Sequence, residues 1–167
     1  MCIVAFAWNP DGQTPLLLAG NRDEFFERPT AAMHWWPGDD VLAGRDLKAH
    51  GAWLGMTRRG RFALLTNIRN PALRRSGAPS RGGIVSAFLT SAAPASTFVH
   101  EIASVARDYE GFNLLCGQIS STTRELWFLN SADGSPAQLT AGLYGLSNAS
   151  LDSPWPKLLR IKQGLRH

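Results

Sequence analysis

Cys2 stands at the head of an apolar run, Ile3 to Trp8. Cysteine is small enough for the initiator methionine to be trimmed, and trimming would leave Cys2 with both a thiol and a free α-amine. The thiol has an ordinary pKa of ~8.5 and the α-amine one of ~7.7–8.0. An amine that titrates near neutrality can act as base for its own side chain, as it does for amino-terminal threonine nucleophiles. A nearby arginine would favour the thiolate. The competing reading is a buried cysteine, a common core residue.

Asn21-Arg22-Asp23-Glu24 follows a second apolar run without a gap. If the two runs pair as a hairpin, these residues sit beside Cys2. Arg22 could then hold the thiolate, and Asp23 could accept from the α-amine and orient it. A charged turn with a weak Arg22–Asp23 surface pair fits as well. Asn67, at the polar end of another apolar run, could donate to a developing oxyanion, a contribution of ~2.7–4 kcal/mol for one such donor. Asn148 in Gly145-Leu146-Ser147-Asn148 is a similar donor, and both asparagines also suit strand ends and turns. Arg81, at the start of a helix, could bind an anion together with the free N–H groups there. Trp53 could line an apolar pocket with Trp35, Trp36 and Trp155, although packing is the commoner use of such residues. Asn21, Arg69, Trp53 and Arg81 form the substrate-binding set. His34 and His50 lie in loop-like contexts without spaced partners, so a Cys–His pair or a haem ligand stays open.

The elements that position these residues follow from periodicity. Cys2 to Trp8 and Leu16 to Gly20 read as strands joined by the turn residues Asn9-Pro10-Asp11-Gly12. Asn21 to Asp40, with its charges and prolines, reads as a loop. Gly51 to Thr57 and Arg61 to Ile68 form a second hairpin around Arg58-Arg59-Gly60. Asn70 to Pro79 is irregular. Ser80 is the expected N-cap of a helix over Arg81 to Thr90, with Ile84, Val85, Phe88 and Leu89 on one face. Pro94 opens a second helix, with Phe98, Ile102 and Val105 at helical spacing. Strands return at Phe112 to Ile119, Glu125 to Leu129 and Ala137 to Thr140, and Pro154 to Leu165 reads as a last helix. This order favours a layered α+β protein with mostly antiparallel sheet.

Composition bounds the rest. The chain has 167 residues, 44% hydrophobic and 18% charged, which suits one folded domain over 1–167. No apolar run approaches the ~20 residues of a transmembrane helix. The start lacks a basic lead and meets a turn early, unlike a signal peptide. Two cysteines point to a reducing compartment, so a cytoplasmic protein is expected. No CxxC, HExxH or His/Cys cluster suggests a metal site, and no cofactor is expected. The net charge of +4 comes mostly from arginines in a hairpin tip and a loop, so no nucleic-acid partner is expected.

Several motifs occur in order: Met-Cys-Ile, Gly20-Asn21-Arg22-Asp23-Glu24-Phe25, Arg28-Pro29, Ala43-Gly44-Arg45-Asp46 and Gly51-Ala52-Trp53-Leu54-Gly55. Leu65-Thr66-Asn67-Ile68-Arg69, Ser80-Arg81-Gly82-Gly83, Tyr144-Gly145-Leu146-Ser147-Asn148 and Pro154-Trp155-Pro156-Lys157 follow. Together they resemble the NRDE family, also called the Transport and Golgi Organisation 2 family, over nearly the whole chain. The amino terminus of that family is similar to cysteine-type N-terminal-nucleophile hydrolases of the choloylglycine hydrolase and penicillin V acylase group. The resemblance implies an αββα sandwich of two mainly antiparallel sheets between helix layers. It implies Cys2 as nucleophile after methionine removal, Arg22 near the thiol, Asp23 near the α-amine, and Asn67 and Asn148 as oxyanion or substrate donors. The contiguous Asn-Arg-Asp departs from the acylases, which separate arginine and aspartate, and their late arginine has no evident counterpart before His167. Family members are usually longer, which implies a sandwich incomplete at the carboxy terminus. The expected function is that of an amino-terminal cysteine hydrolase-like protein for a nonpeptide amide or acyl compound. The alternative implied by the family is a non-enzymatic haem or lipid/acyl-CoA binding and trafficking protein.

Overall fold

The structure is a computed structural model and describes residues 2–165. Met1, on whose removal the expected role of Cys2 as a nucleophile depends, lies outside the described residues, as do the last two residues of the basic ending.

Among the described residues ten strands run in chain order as β1 Ile3–Trp8, β2 Leu16–Asn21, β3 Thr30–Trp35, β4 Val41–Asp46, β5 Leu54–Thr57, β6 Arg61–Asn67, β7 Phe112–Ile119, β8 Arg124–Asn130, β9 Ala137–Gln138 and β10 Gly142–Leu146. Three α-helices, α1 Gly82–Thr90, α2 Ala95–Val105 and α3 Pro156–Gly164, and two short 3-10 helices, Pro71–Leu73 and Ala106–Asp108, complete the elements among the described residues. One sheet is ordered β10-β1-β2 and the other runs β3 to β9 in sequence order. All the pairings are antiparallel.

Alternation along the strands sorts residues to two cores. Phe62 and Leu64 of β6, Leu115 of β7, and Leu126 and Phe128 of β8 meet Val4, Phe6 and Trp8 of β1 between the sheets. The intervening residues Ala63, Leu65, Leu114 and Cys116 face Ile84, Val85, Phe88 and Phe98 of α1 and α2. Helix α3 packs on β1 and β10. The layers are therefore two helices, the large sheet, the small sheet and one helix, as the αββα expectation has it. Each fully buried Leu or Phe stabilises this arrangement by about 1.5–3 kcal/mol.

Arg61 is buried within the helix-side layer. Its Nε donates to the Phe88 carbonyl at 3.0 Å and its Nη1 to Ala93 at 2.9 Å. Its guanidinium also lies 4.0 Å from the Phe88 ring centre. A cation at the carboxy end of a helix is favourably placed against the macrodipole.

Four expectations need correction. The segment from Asn21 to Asp40 is not all loop, because β3 lies within it. Pro29 and Pro37 bracket β3 rather than interrupt it, and its pairing with β4 satisfies the backbone around a bulge. Ser80 does not cap α1: Arg81 holds that position without a side-chain cap bond, and the Ser80 carbonyl accepts from Gly83 instead. Val105 is 41% exposed rather than on the buried face of α2. Finally, β10 is a strand that local pattern did not mark, since Gly-Leu-Tyr-Gly-Leu has weak strand propensity and is held by long-range pairing with β1.

Candidate functional site

The β1–β2 hairpin sets the site. Its register pairs Ile3 with Asn21, so Cys2 lies beside Arg22 and Asp23 at the open end. This juxtaposition follows from two strands of equal length paired over their whole span, from Trp8–Leu16 to Ile3–Asn21, across the connection at residues 9–15. The half-buried Cys2 thiol is pushed up by burial. The backbone N–H of Asp23, donating to the thiol, and the Arg22 charge pull the other way. On balance the thiol lies above its ordinary value, so the thiolate is the minor form at neutral pH.

Cys2 opens on a cleft of about 760 Å³, within the range of small-molecule sites. Of the residues singled out from the sequence, Arg22, Asp23, Trp53, Asn67 and Arg81 share the cleft with Cys2. Trp53 reaches it from the chain just before β5, and its carbonyl accepts from the Leu65 N–H at 2.8 Å. Asn67 comes from the exposed end of β6. Arg81 sits where α1 begins, with Nη1 donating to the Gly111 carbonyl at 3.0 Å and Nη2 3.2 Å from Glu110. The start of α1 crosses the β4–β5 loop at backbone distance: a Cβ on Gly51 would lie 2.4 Å from the Gly82 carbonyl carbon. Only glycine at 51 permits that approach.

Three candidates stand elsewhere. Asn148 is buried beneath the cleft, its Nδ2 donating to the Asn67 carbonyl at 2.8 Å. Arg69 lines an adjoining groove shared with Asn67 and Arg81, and its N–H donates to the Asn148 carbonyl at 2.9 Å. Asn21 is exposed at the end of β2 and does not line the cleft. His34 and His50 do not line it either. His34 engages the Ala32 carbonyl at 2.7 Å, and His50 takes a positive φ of 59° in the turn after β4.

Sequence reasoning missed the scaffold behind these residues. Asp46, at the end of β4, accepts from Arg28 Nε and Nη2 at 2.9 and 2.8 Å through one oxygen. Its other oxygen accepts from the Lys48 and Ala49 N–H groups, both at 2.9 Å. Burial raises the Asp46 carboxyl, but these donors outweigh it and hold the group below its ordinary value. Arg22 bonds Glu24 at 2.9 Å and approaches Asp46 at 3.8 Å, so its charge is shared. Beneath the cleft, Asn130 donates to Asn113 at 3.0 Å, Asn113 to Thr66 at 3.2 Å, and Thr66 to the Ser147 carbonyl at 2.6 Å. The Ser147 hydroxyl then donates to the Cys2 carbonyl at 2.7 Å. Asp46 and Ser147 each sit in a motif quoted above, and that was the available signal.

Comparison with known proteins gives a consistent result. The family model described as Transport and Golgi organisation 2 matches residues 1–167. A Transport and Golgi organization protein 2 homolog from Bos taurus is 38% identical over 173 residues, which cover 98% of this chain and 62% of that protein. The Homo sapiens homolog is 36% identical with the same coverage. The Drosophila melanogaster Transport and Golgi organization protein 2 is 31% identical over 180 residues, 98% of this chain and 63% of that protein. The chain thus spans somewhat less than two thirds of the length of these relatives.

Proposed function

The chain belongs to the Transport and Golgi organisation 2 family, and from that premise we propose that it is an amino-terminal cysteine hydrolase-like protein acting on a nonpeptide amide or related acyl compound. The observation that carries this reading is the placement of Cys2 at a small-molecule-sized cleft together with Arg22, Asp23 and Asn67. Once Met1 is removed, the α-amine takes the thiol proton and the sulfur attacks the substrate carbonyl carbon. Asn67 donates to the oxyanion that forms. Collapse breaks the C–N bond, and the proton passes from the α-amine to the departing nitrogen. Water then attacks the thioester, again with the α-amine as base, and releases the carboxylic acid and the free thiol. Arg22 and Asp23 position the terminus, while Trp53, Leu54 and Leu65 offer apolar surface to the acyl group. A cytoplasmic location belongs to the same reading, since Cys2 and Cys116 are free thiols suited to a reducing compartment.

A second reading is favoured by one observation. Burial holds the Cys2 thiol above its ordinary value and so disfavours the nucleophilic form. In that reading the cleft binds haem or a lipid or acyl-CoA ligand without turnover.

The test is the intact mass of untagged protein before and after a cysteine-reactive electrophile at neutral pH, with the labelled residue mapped. Loss of Met1 and labelling of Cys2 well ahead of Cys116 is the expected result. An acyl-compound screen with Cys2→Ala follows, and turnover should vanish while the fold persists. Retained Met1, or turnover unchanged in Cys2→Ala, overturns the mechanism. Stoichiometric binding without product supports the second reading.

A further inference from the structure

Five arginines and four carboxylates line the Cys2 cleft, and their pairing is uneven. Arg22 has Glu24, Arg28 has Asp46, and Arg81 has Glu110. Arg45, on β4, lines the same cleft without an ion-pair partner among the described residues. Its guanidinium carbon lies 4.6 Å from the centre of the Trp36 ring, which fixes its position. Its Nε is buried with no hydrogen-bond partner among the described residues. The adjacent Asp46 cannot serve it, because both Asp46 oxygens are engaged by Arg28, Lys48 and Ala49. A partly desolvated, unpaired guanidinium is costly unless an anion completes it. Arg75, exposed on the loop before α1, lines the cleft as well, and so does the amino end of α1 at Arg81 and Gly82. Both add positive potential.

We infer that Arg45 is an anion subsite of this cleft, and that the acyl compound it takes carries an oxyacid group, a carboxylate or a phosphate. A guanidinium fork matches either group with paired hydrogen bonds. This inference rests on the proposed role of Cys2 only in naming an acyl compound. The subsite itself can be tested separately.

The probes share one electrophile: N-iodoacetyl glycine, N-iodoacetyl 4-aminobutyrate and N-iodoacetyl 6-aminohexanoate, each beside its neutral carboxamide. N-iodoacetyl 2-aminoethylphosphonate, beside its neutral dimethyl ester, supplies the phosphate-like arm and its own acid-to-neutral ratio. In every case the Cys2 sulfur displaces iodide, so the acid-to-neutral rate ratio reports attraction of the distal anion. Wild-type protein should label Cys2 about tenfold faster with the acid at one tether length, the effect of roughly one charge pair. Arg45→Gln should bring that ratio to about one, Arg45→Lys should leave an intermediate ratio, and Arg107→Gln, on the helix side, should leave it unchanged. Whether the carboxylate or the phosphonate shows the larger ratio identifies the oxyacid. A ratio near one at every tether, or a preference that survives Arg45→Gln, overturns the subsite. If Cys2 resists the neutral probes too, it is the Cys2 mechanism that fails. The subsite is then read by calorimetric titration with 6-acetamidohexanoate and 2-acetamidoethylphosphonate. Saturable binding of either that Arg45→Gln abolishes supports it, and no saturable binding of either overturns it.

Discussion

The Ser147 hydroxyl donates to the Cys2 carbonyl oxygen at 2.7 Å, joining residues 145 positions apart. The bond ties the chain leaving β10 to the chain entering β1. It extends a buried polar path that begins at Asn130 and passes through Asn113 and Thr66. The Cys2 end of β1 is thereby held by the core rather than left to fray.

Ser147→Ala should lower stability by about 1–3 kcal/mol, because the Cys2 carbonyl loses its partner in a site that water reaches poorly. The half-buried thiol should also loosen and relax toward its ordinary pKa, so alkylation of Cys2 at pH 7 should quicken. Urea unfolding and timed mass spectrometry check both. Stability and labelling rate both unchanged would rule out this brace.

Asn113 is fully buried and serves three partners: it donates to Thr66 and to the Ala149 carbonyl, and accepts from Asn130. Asn113→Ala should cost about 3 kcal/mol, since several buried groups lose partners together. The double variant with Asn130→Ala should be less destabilised than the sum of the singles by about 0.5–3 kcal/mol. Strict additivity in urea midpoints would show that the two residues do not act as one network.

Asp46→Asn should destabilise the loop around Arg28 by about 1.5–3 kcal/mol at pH 7, the usual worth of hydrogen bonds to a charged group. The Asp46 carboxyl is held below its ordinary value, so its contribution is present above ~3.9 and fades as pH falls through the lower folded value. The gap between wild type and Asp46→Asn should therefore narrow in acid. A gap that is constant from pH 7 downward contradicts the charged role.

Cys116 is fully buried, and burial pushes its thiol up to about 12. An unfolded chain ionises this thiol near ~8.5. The neutral thiol therefore contributes its full stability below that pH. Between there and about 12 the contribution falls by roughly 1.4 kcal/mol per pH unit. Cys116→Ala should show a shallower alkaline decline in urea midpoint up to pH 10. Parallel declines would mean that Cys116 does not set the slope.

Much of the site was legible because its signal was local. Apolar runs on both sides of Asn9-Pro10-Asp11-Gly12 imply a hairpin, and a hairpin brings Cys2 to Arg22 and Asp23 without further information. The alternation in β6, β7 and β8 likewise marks two buried faces and so a layered protein. Arg45 and Asp46 were visible in a motif, but nothing local says that one is paired and the other is not. Asn148 had the right residue type for a donor, yet its amide is engaged by the Asn67 carbonyl.

What the sequence by itself determined is the strand and helix periodicity, the hairpin that seats Cys2, and the family, because each is written in neighbouring residues or in the order of motifs. The tertiary structure alone decided that β10 lies beside β1, that Ser147 braces Cys2, and that Asp46 is fully engaged while Arg45 is left without a carboxylate. The physical reason is distance along the chain. Pairings between remote segments depend on how whole sheets stack, and hydrogen-bond partners are assigned only once that stacking has excluded water.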